Sequence, residues 1–193
     1  MAEKYIGTKF KTIFLANHPA NDGKINALIS WCKKFHANDL SQLHNGLSSG
    51  NLSCRSQNGF LVSATGKNYA KIAADEIVEV VDCDLAKKIV KVSGSKEPSS
   101  ESMAHWFIYN KFPEITAIFH GHNGAILAAA KKLGLPVTKN ESPYGTKKEI
   151  AEVSKILGKG NFLILKGHGF LSLGRSMEEA GSQALKLLKS CKP

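Results

Sequence analysis

Apolar and polar positions follow two rhythms along this chain, and together they divide it into helices and strands. Ile25, Leu28, Ile29, Cys32 and Phe35 recur three and four apart, which predicts a helix within residues 23–44. The short runs "NLSCRS" and "FLVSA" read as strands joined at Gln57-Asn58-Gly59, a hairpin signal. "EIVEVVDCD" and "KIVKVSG" read as two more strands. "SSESMAHWFIYNKF" reads as a helix with Ser99 as its N-cap. "EITAIFH" is then a strand, and "NGAILAAAKKLG" a helix closed by Gly134 with Pro136 beyond it. "GTKKEIAEVSKILGKG" predicts a helix, "NFLILK" a buried strand and "GFLSLG" another. "SMEEAGSQALKLLKS" closes the chain as a helix, with Ser176 and Glu179 at capping-box spacing.

The residues before 23 show neither rhythm and read as an irregular N-terminal arm. No internal repeat, low-complexity tract or long linker breaks the pattern. A single α/β domain over residues 1–193 is expected, with 1–22 as the arm. The length of 193 residues suits one domain with one sizeable core.

Composition narrows the picture further. An apolar fraction of 42% and a charged fraction of 22% are those of an ordinary globular protein. No apolar run approaches the roughly 18 residues of a membrane span. Lys and Gly interrupt the N-terminal segment too often for a signal peptide, so a cytoplasmic protein is expected. Cys32, Cys54, Cys83 and Cys191 are scattered with no CxxC pair, which reads as reduced thiols. Any metal must therefore rest on histidine and carboxylate.

The net charge of +10 favours anionic ligands, whether phosphorylated metabolites or nucleic acid. All but two of the 26 basic residues are lysine, the exceptions being Arg55 and Arg175. Reading guanine edges favours Arg, and no basic stripe interleaves with aromatics, so nucleic acid is not expected as a partner.

The chemistry gathers around "FHGHNG". Side chains two apart on a strand share a face, so His120 and His122 are adjacent nitrogen donors on a rigid element. Alone, an HxH pair is a weak signal. His168, between Gly167 and Gly169, offers a third imidazole where the backbone can approach a ligand closely. Glu101 offers a carboxylate, although a Glu near a helix N-terminus also simply complements the dipole. His105 reads as packed among its apolar helix neighbours; His18, His36 and His44 have no second donor beside them. "SSGNLS", "SATGK" and Ser99-Ser100 at a helix start suggest an anion pocket, each with an alternative reading as turn or cap.

The strings "GNLSCR", "SATG", "PSSE", "HGH" and "KGHGFLSLGRSMEEA" stand in an order and spacing that resemble the class II aldolase/adducin family over roughly residues 23–190. The resemblance implies a three-layer αβα sandwich around a mostly antiparallel central sheet. It implies a Zn2+ ion, or Mn2+, Co2+ or Fe2+, on His120, His122 and His168, with Glu101 as catalytic group and further metal ligand. It assigns a phosphate site to Asn51, Thr65, Gly66, Ser99 and Ser100. Members are commonly homotetramers with active sites at subunit boundaries. The implied activity is a metal-dependent aldolase that cleaves a phosphorylated ketose to dihydroxyacetone phosphate and an aldehyde through a metal-stabilised enediolate. The alternatives are a pentulose-phosphate 4-epimerase, a methylthioribulose-1-phosphate dehydratase, or a non-catalytic adducin-like interaction module. Sugar-phosphate members take acid and shaping tyrosines from the segment after the HxH helix and from a C-terminal tail. Here that segment holds only Tyr144 as a candidate proton donor, and no tail is expected after the closing helix.

Overall fold

A computed structural model describes residues 7–191; the first six residues of the expected arm, and residues 192–193, lie outside the described residues. The strands are β1 (Lys11–Ala16), β2 (Leu43–His44), β3 (Leu47–Ser48), β4 (Asn51–Arg55), β5 (Phe60–Ser63), β6 (Ile77–Asp84), β7 (Ile89–Ser93), β8 (Ala117–Gly121), β9 (Phe162–Leu165) and β10 (Gly169–Gly174). The helices are α1 (Ile25–Ala37), α2 (Ser102–Lys111), α3 (Gly124–Ala129), α4 (Lys147–Ile156) and α5 (Met177–Ser190).

Eight strands form one sheet in the order β1-β7-β6-β5-β4-β8-β10-β9, while β2 and β3 pair as a separate small hairpin. Every adjacent pair in the large sheet is antiparallel except β1 with β7. Alternation along each strand sends side chains to two separate cores. Ala117 and Phe119 of β8 join Leu28, Trp31 and Phe35 of α1 and Ala184 of α5 on one face. Ile118 joins Met103 and Ile108 of α2 and Val153 of α4 on the other. Helices thus cover both faces, and the fold is an αβα sandwich around a mostly antiparallel sheet.

Three local expectations differ from what forms. Residues expected as an irregular arm include β1, which lies parallel to β7 with Thr12 beside Val90 and Phe14 beside Val92. Phe14 and Leu15 stay exposed, so this edge strand is held by backbone pairing and carries no clear alternation to read. Ser99 does not cap α2, which begins at Ser102. Instead its carbonyl accepts from Ser102 N and Ser102 Oγ, at 3.0 and 2.7 Å, in a turn that precedes the helix. The helix expected to run to Gly134 stops at Ala129 and continues as turns, with Gly134 at φ +64°. At the N-termini of α3 and α5, Asn123 and Ser176 cap as short polar side chains do, accepting from backbone N–H groups within the first turn.

Candidate metal and active site

The site begins at the C-terminal end of β8. Ile118 and His120 share the sheet face that α2 covers, and His122 follows just past the strand end, bridged to Ser41. The neighbouring strands fix this register: His120 pairs with Asn51 of β4 on one side and with Leu171 of β10 on the other. The turn between β9 and β10 carries His168, and Gly167 takes φ +69° there, a conformation glycine adopts without strain.

These elements bring three imidazoles into one cluster. The His120, His122 and His168 ring centroids are each 4.8 Å from the other two. His122 Nε2 lies 2.9 Å from His120 Nε2. The Glu101 carboxylate lies alongside, with Oε2 3.2 Å from His120 Nε2 and Oε1 3.9 Å from His168 Nε2. Glu101 is held there by Asn51, whose Nδ2 donates to Oε2 at 2.6 Å.

Hydrogen bonding sets which nitrogen each ring presents. His120 Nδ1 is 2.8 Å from the Phe170 carbonyl, which can only accept, so Nδ1 carries the proton. The neutral ring then turns a bare Nε2 to the cluster. Burial lowers the pKa of His120, and pushes that of His122 well below its ordinary value. Both rings are therefore neutral donors at physiological pH. Three converging imidazoles and an adjacent carboxylate fit a borderline divalent cation such as Zn2+, and the donor atoms of the three histidines all lie within 4.8 Å of one another.

A second carboxylate enters that the sequence reading did not single out. Glu149 of α4 is buried, and its Oε1 lies 3.5 Å from His168 Nδ1. The two carboxylates separate in character. Burial alone would raise Glu101, but attraction to the facing histidines in their protonated forms, His120 first, outweighs it and holds its carboxyl at about 2. Burial and then the charge of Glu101 push Glu149 up to about 8. From sequence, the Thr146-x-x-Glu149 spacing reads only as a helix start; no local signal points Glu149 toward His168.

The residues assigned to phosphate binding lie on three adjoining segments, with Asn51 as the first residue of β4. Ser48 N donates to the Lys67 carbonyl at 2.8 Å, which ties the loop before Asn51 to the loop holding Thr65 and Gly66. Thr65 N donates to the Glu97 carbonyl at 3.1 Å, and Ala64 bridges Pro98, which brings Ser99 and Ser100 beside them. Asn51, Ser99 and Ser100 are buried, and Gly66 has φ +66°. Asn51 Nδ2 is on Glu101, while its Oδ1 is buried without a hydrogen-bond partner among the described residues. Tyr144 is also buried, and its hydroxyl donates to the Gly7 carbonyl at 3.1 Å. His105 is fully buried as expected, with Nδ1 2.8 Å from Ser53 Oγ and a pKa lowered by burial to about 3.

The fold and the site together define an αβα-sandwich protein with a histidine–carboxylate cluster able to hold a divalent cation. The chain belongs to the family of the class II aldolase and adducin N-terminal domain, whose sequence model matches residues 26–192. It is 30% identical over 167 residues to a 5-methylthioribulose-1-phosphate/5-deoxyribulose-1-phosphate aldolase of Escherichia coli O45:K1, covering 79% of this chain and 74% of that one. It is 23% identical over 177 residues to a methylthioribulose-1-phosphate dehydratase of Pseudoalteromonas translucida, covering 74% and 79%. Among solved structures, an L-fuculose 1-phosphate aldolase matches with a TM-score of 0.71 at 25% identity, over 91% of this chain and 86% of that one. Among the described residues, no helix is long and apolar enough to cross a membrane.

Proposed function

We propose that the protein is a divalent-metal-dependent lyase that cleaves a phosphorylated ketose to dihydroxyacetone phosphate and an aldehyde. The observation that carries this reading is the cluster of His120, His122 and His168 with the buried carboxylate of Glu101 against it. A cation held by these side chains supplies Lewis-acid stabilisation of negative charge beside a carbonyl. With Oε2 engaged by Asn51, Oε1 of Glu101 is the oxygen that removes or returns a proton next to that carbonyl. Asn51, Thr65, Gly66, Ser99 and Ser100 take the phosphate and fix the far end of the substrate, which sets the reacting bond against Glu101. The same reading makes the chain one domain that works as a cytoplasmic homotetramer on a small sugar phosphate, with neither nucleic acid nor membrane as partner.

A second reading has support in the relatives, whose names divide between aldolase and dehydratase, with methylthioribulose 1-phosphate named for both. Dehydration also begins with proton removal beside a carbonyl, so the same Glu101 serves it. The deciding experiment follows proton exchange at the hydroxymethyl carbon of dihydroxyacetone phosphate in D2O by NMR. Metal-loaded protein is expected to exchange, and chelated protein, Glu101→Gln and His120→Ala to lose at least about a hundredfold in rate. Metal-loaded protein that does not exchange this proton, but releases water from methylthioribulose 1-phosphate, would move the assignment to the dehydratase.

A further inference from the structure

His120 shows how this fold prepares a histidine to coordinate: the Phe170 carbonyl holds Nδ1–H at 2.8 Å and leaves Nε2 bare. His168, as a ligand through Nε2, has the same need. Beside its Nδ1 lies Glu149, with Oε1 3.5 Å away, while Glu101 approaches Nε2 at 3.9 Å. We propose that Glu149 is the positioning residue for His168, accepting Nδ1–H so that Nε2 is presented to a divalent cation. The inference rests on the metal-dependent reading given above.

Three features of Glu149 argue for that role. First, the carboxylate is fixed before any ligand arrives. Its Oε2 accepts from Gly145 N at 2.7 Å, and Thr146 Oγ accepts from Glu149 N at 3.2 Å at the start of α4. Second, the other oxygen is left over. Oε1 is buried and makes no well-aligned hydrogen bond among the described residues, with His168 and Glu101 as the side chains beside it, an expensive state for a buried carboxyl oxygen unless a donor reaches it. Third, the nearest suitable donor is His168 Nδ1, on a turn that needs to move only a few tenths of an ångström to close the contact. A carboxylate behind a ligating imidazole fixes its tautomer and orientation and raises its basicity.

The bland account is that Glu149 only caps α4. That account uses Oε2 and explains nothing about Oε1, and the two accounts predict different behaviour for Glu149→Gln. A glutamine oxygen can still accept from Gly145 N, which leaves its amide N–H groups facing His168 Nδ1. That arrangement favours the tautomer with the proton on Nε2 and opposes coordination.

The test measures Zn2+ affinity by competition with a chromophoric chelator, for wild type, Glu149→Gln and Glu149→Asp. The visible spectrum of the Co2+ form is recorded for each, and long-range 1H–15N NMR of the zinc form reads the His168 tautomer. Wild type is expected to bind zinc with His168 protonated at Nδ1. Glu149→Gln is expected to bind ten- to a hundredfold more weakly, with an altered cobalt spectrum and unchanged metal-free thermal stability. Glu149→Asp, which keeps the carboxyl group, is expected to recover part of the affinity, and it carries the comparison if the Gln variant fails to fold. Zinc affinity within threefold of wild type and an unchanged cobalt spectrum would overturn the role of Glu149 while leaving the metal site intact. Wild type that binds no zinc at all would overturn the metal-dependent reading, and this inference with it.

Discussion

At the residue scale, the cluster depends on one close approach of backbone to ring. A Cβ added to Gly169 would lie 2.6 Å from the Gly121 carbonyl oxygen and 2.9 Å from both His120 Cε1 and His122 Cδ2. Here the need is for space and not for a left-handed conformation. Gly169→Ala must therefore shift either β10 or two imidazoles. It is expected to destabilise the fold by about 1–3 kcal/mol and to weaken zinc binding at least tenfold. Denaturant unfolding of the metal-free form, set beside a zinc titration, checks both parts. The motif "KGHGF" shows where such a glycine lies but not what presses on it, because the two histidines come from a strand nearly fifty residues earlier.

At the element scale, α1 and α5 pack on one sheet face through a contact that allows no side chain. A Cβ at Gly181 would meet the Trp31 ring at 2.2 Å. Trp31 in turn lies 5.7 Å from Phe119, the β8 residue directly before His120. Gly181→Ala pits its gain in helix propensity against this overlap, and the overlap dominates. The variant is expected to lose about 2 kcal/mol or more, with Trp fluorescence reporting the displaced ring and urea unfolding the loss. Most elements were legible because their apolar periods were long and clean, as in α1, α5 and β6. β1 was not, since an edge strand with exposed Phe14 and Leu15 satisfies its backbone through β7 and needs no buried face. The start of α2 is hidden from the sequence for a related reason. Ser99 looks like a cap in sequence, but the bridge between Ala64 and Pro98 holds the preceding segment extended and delays the helix to Ser102.

At the scale of the whole molecule, the proposed metal ties together β8, the β9–β10 turn and the segment ahead of α2. Binding to the native state alone shifts stability by mass action, by about 2.7 kcal/mol at a free metal concentration a hundred times Kd. Chelation is therefore expected to lower the unfolding temperature by several degrees, and His120→Ala to remove that difference between chelated and zinc-loaded protein. Differential scanning calorimetry with and without zinc checks it; a chelator-insensitive transition in wild type would argue against a bound cation.

Local pattern alone determined the alternation of helices and strands, the shared face of His120 and His122, and a set of short motifs dense enough to reveal the family. Those features are set by neighbours a few residues apart, through backbone geometry and side-chain period. Tertiary structure decided which groups meet. It put Asn51 on Glu101, turned the Phe170 carbonyl to His120, and brought Glu149 beside His168 from an unrelated helix. No period or propensity encodes such contacts, because they arise only when strands far apart in the chain fall into register and the helices settle on the sheet.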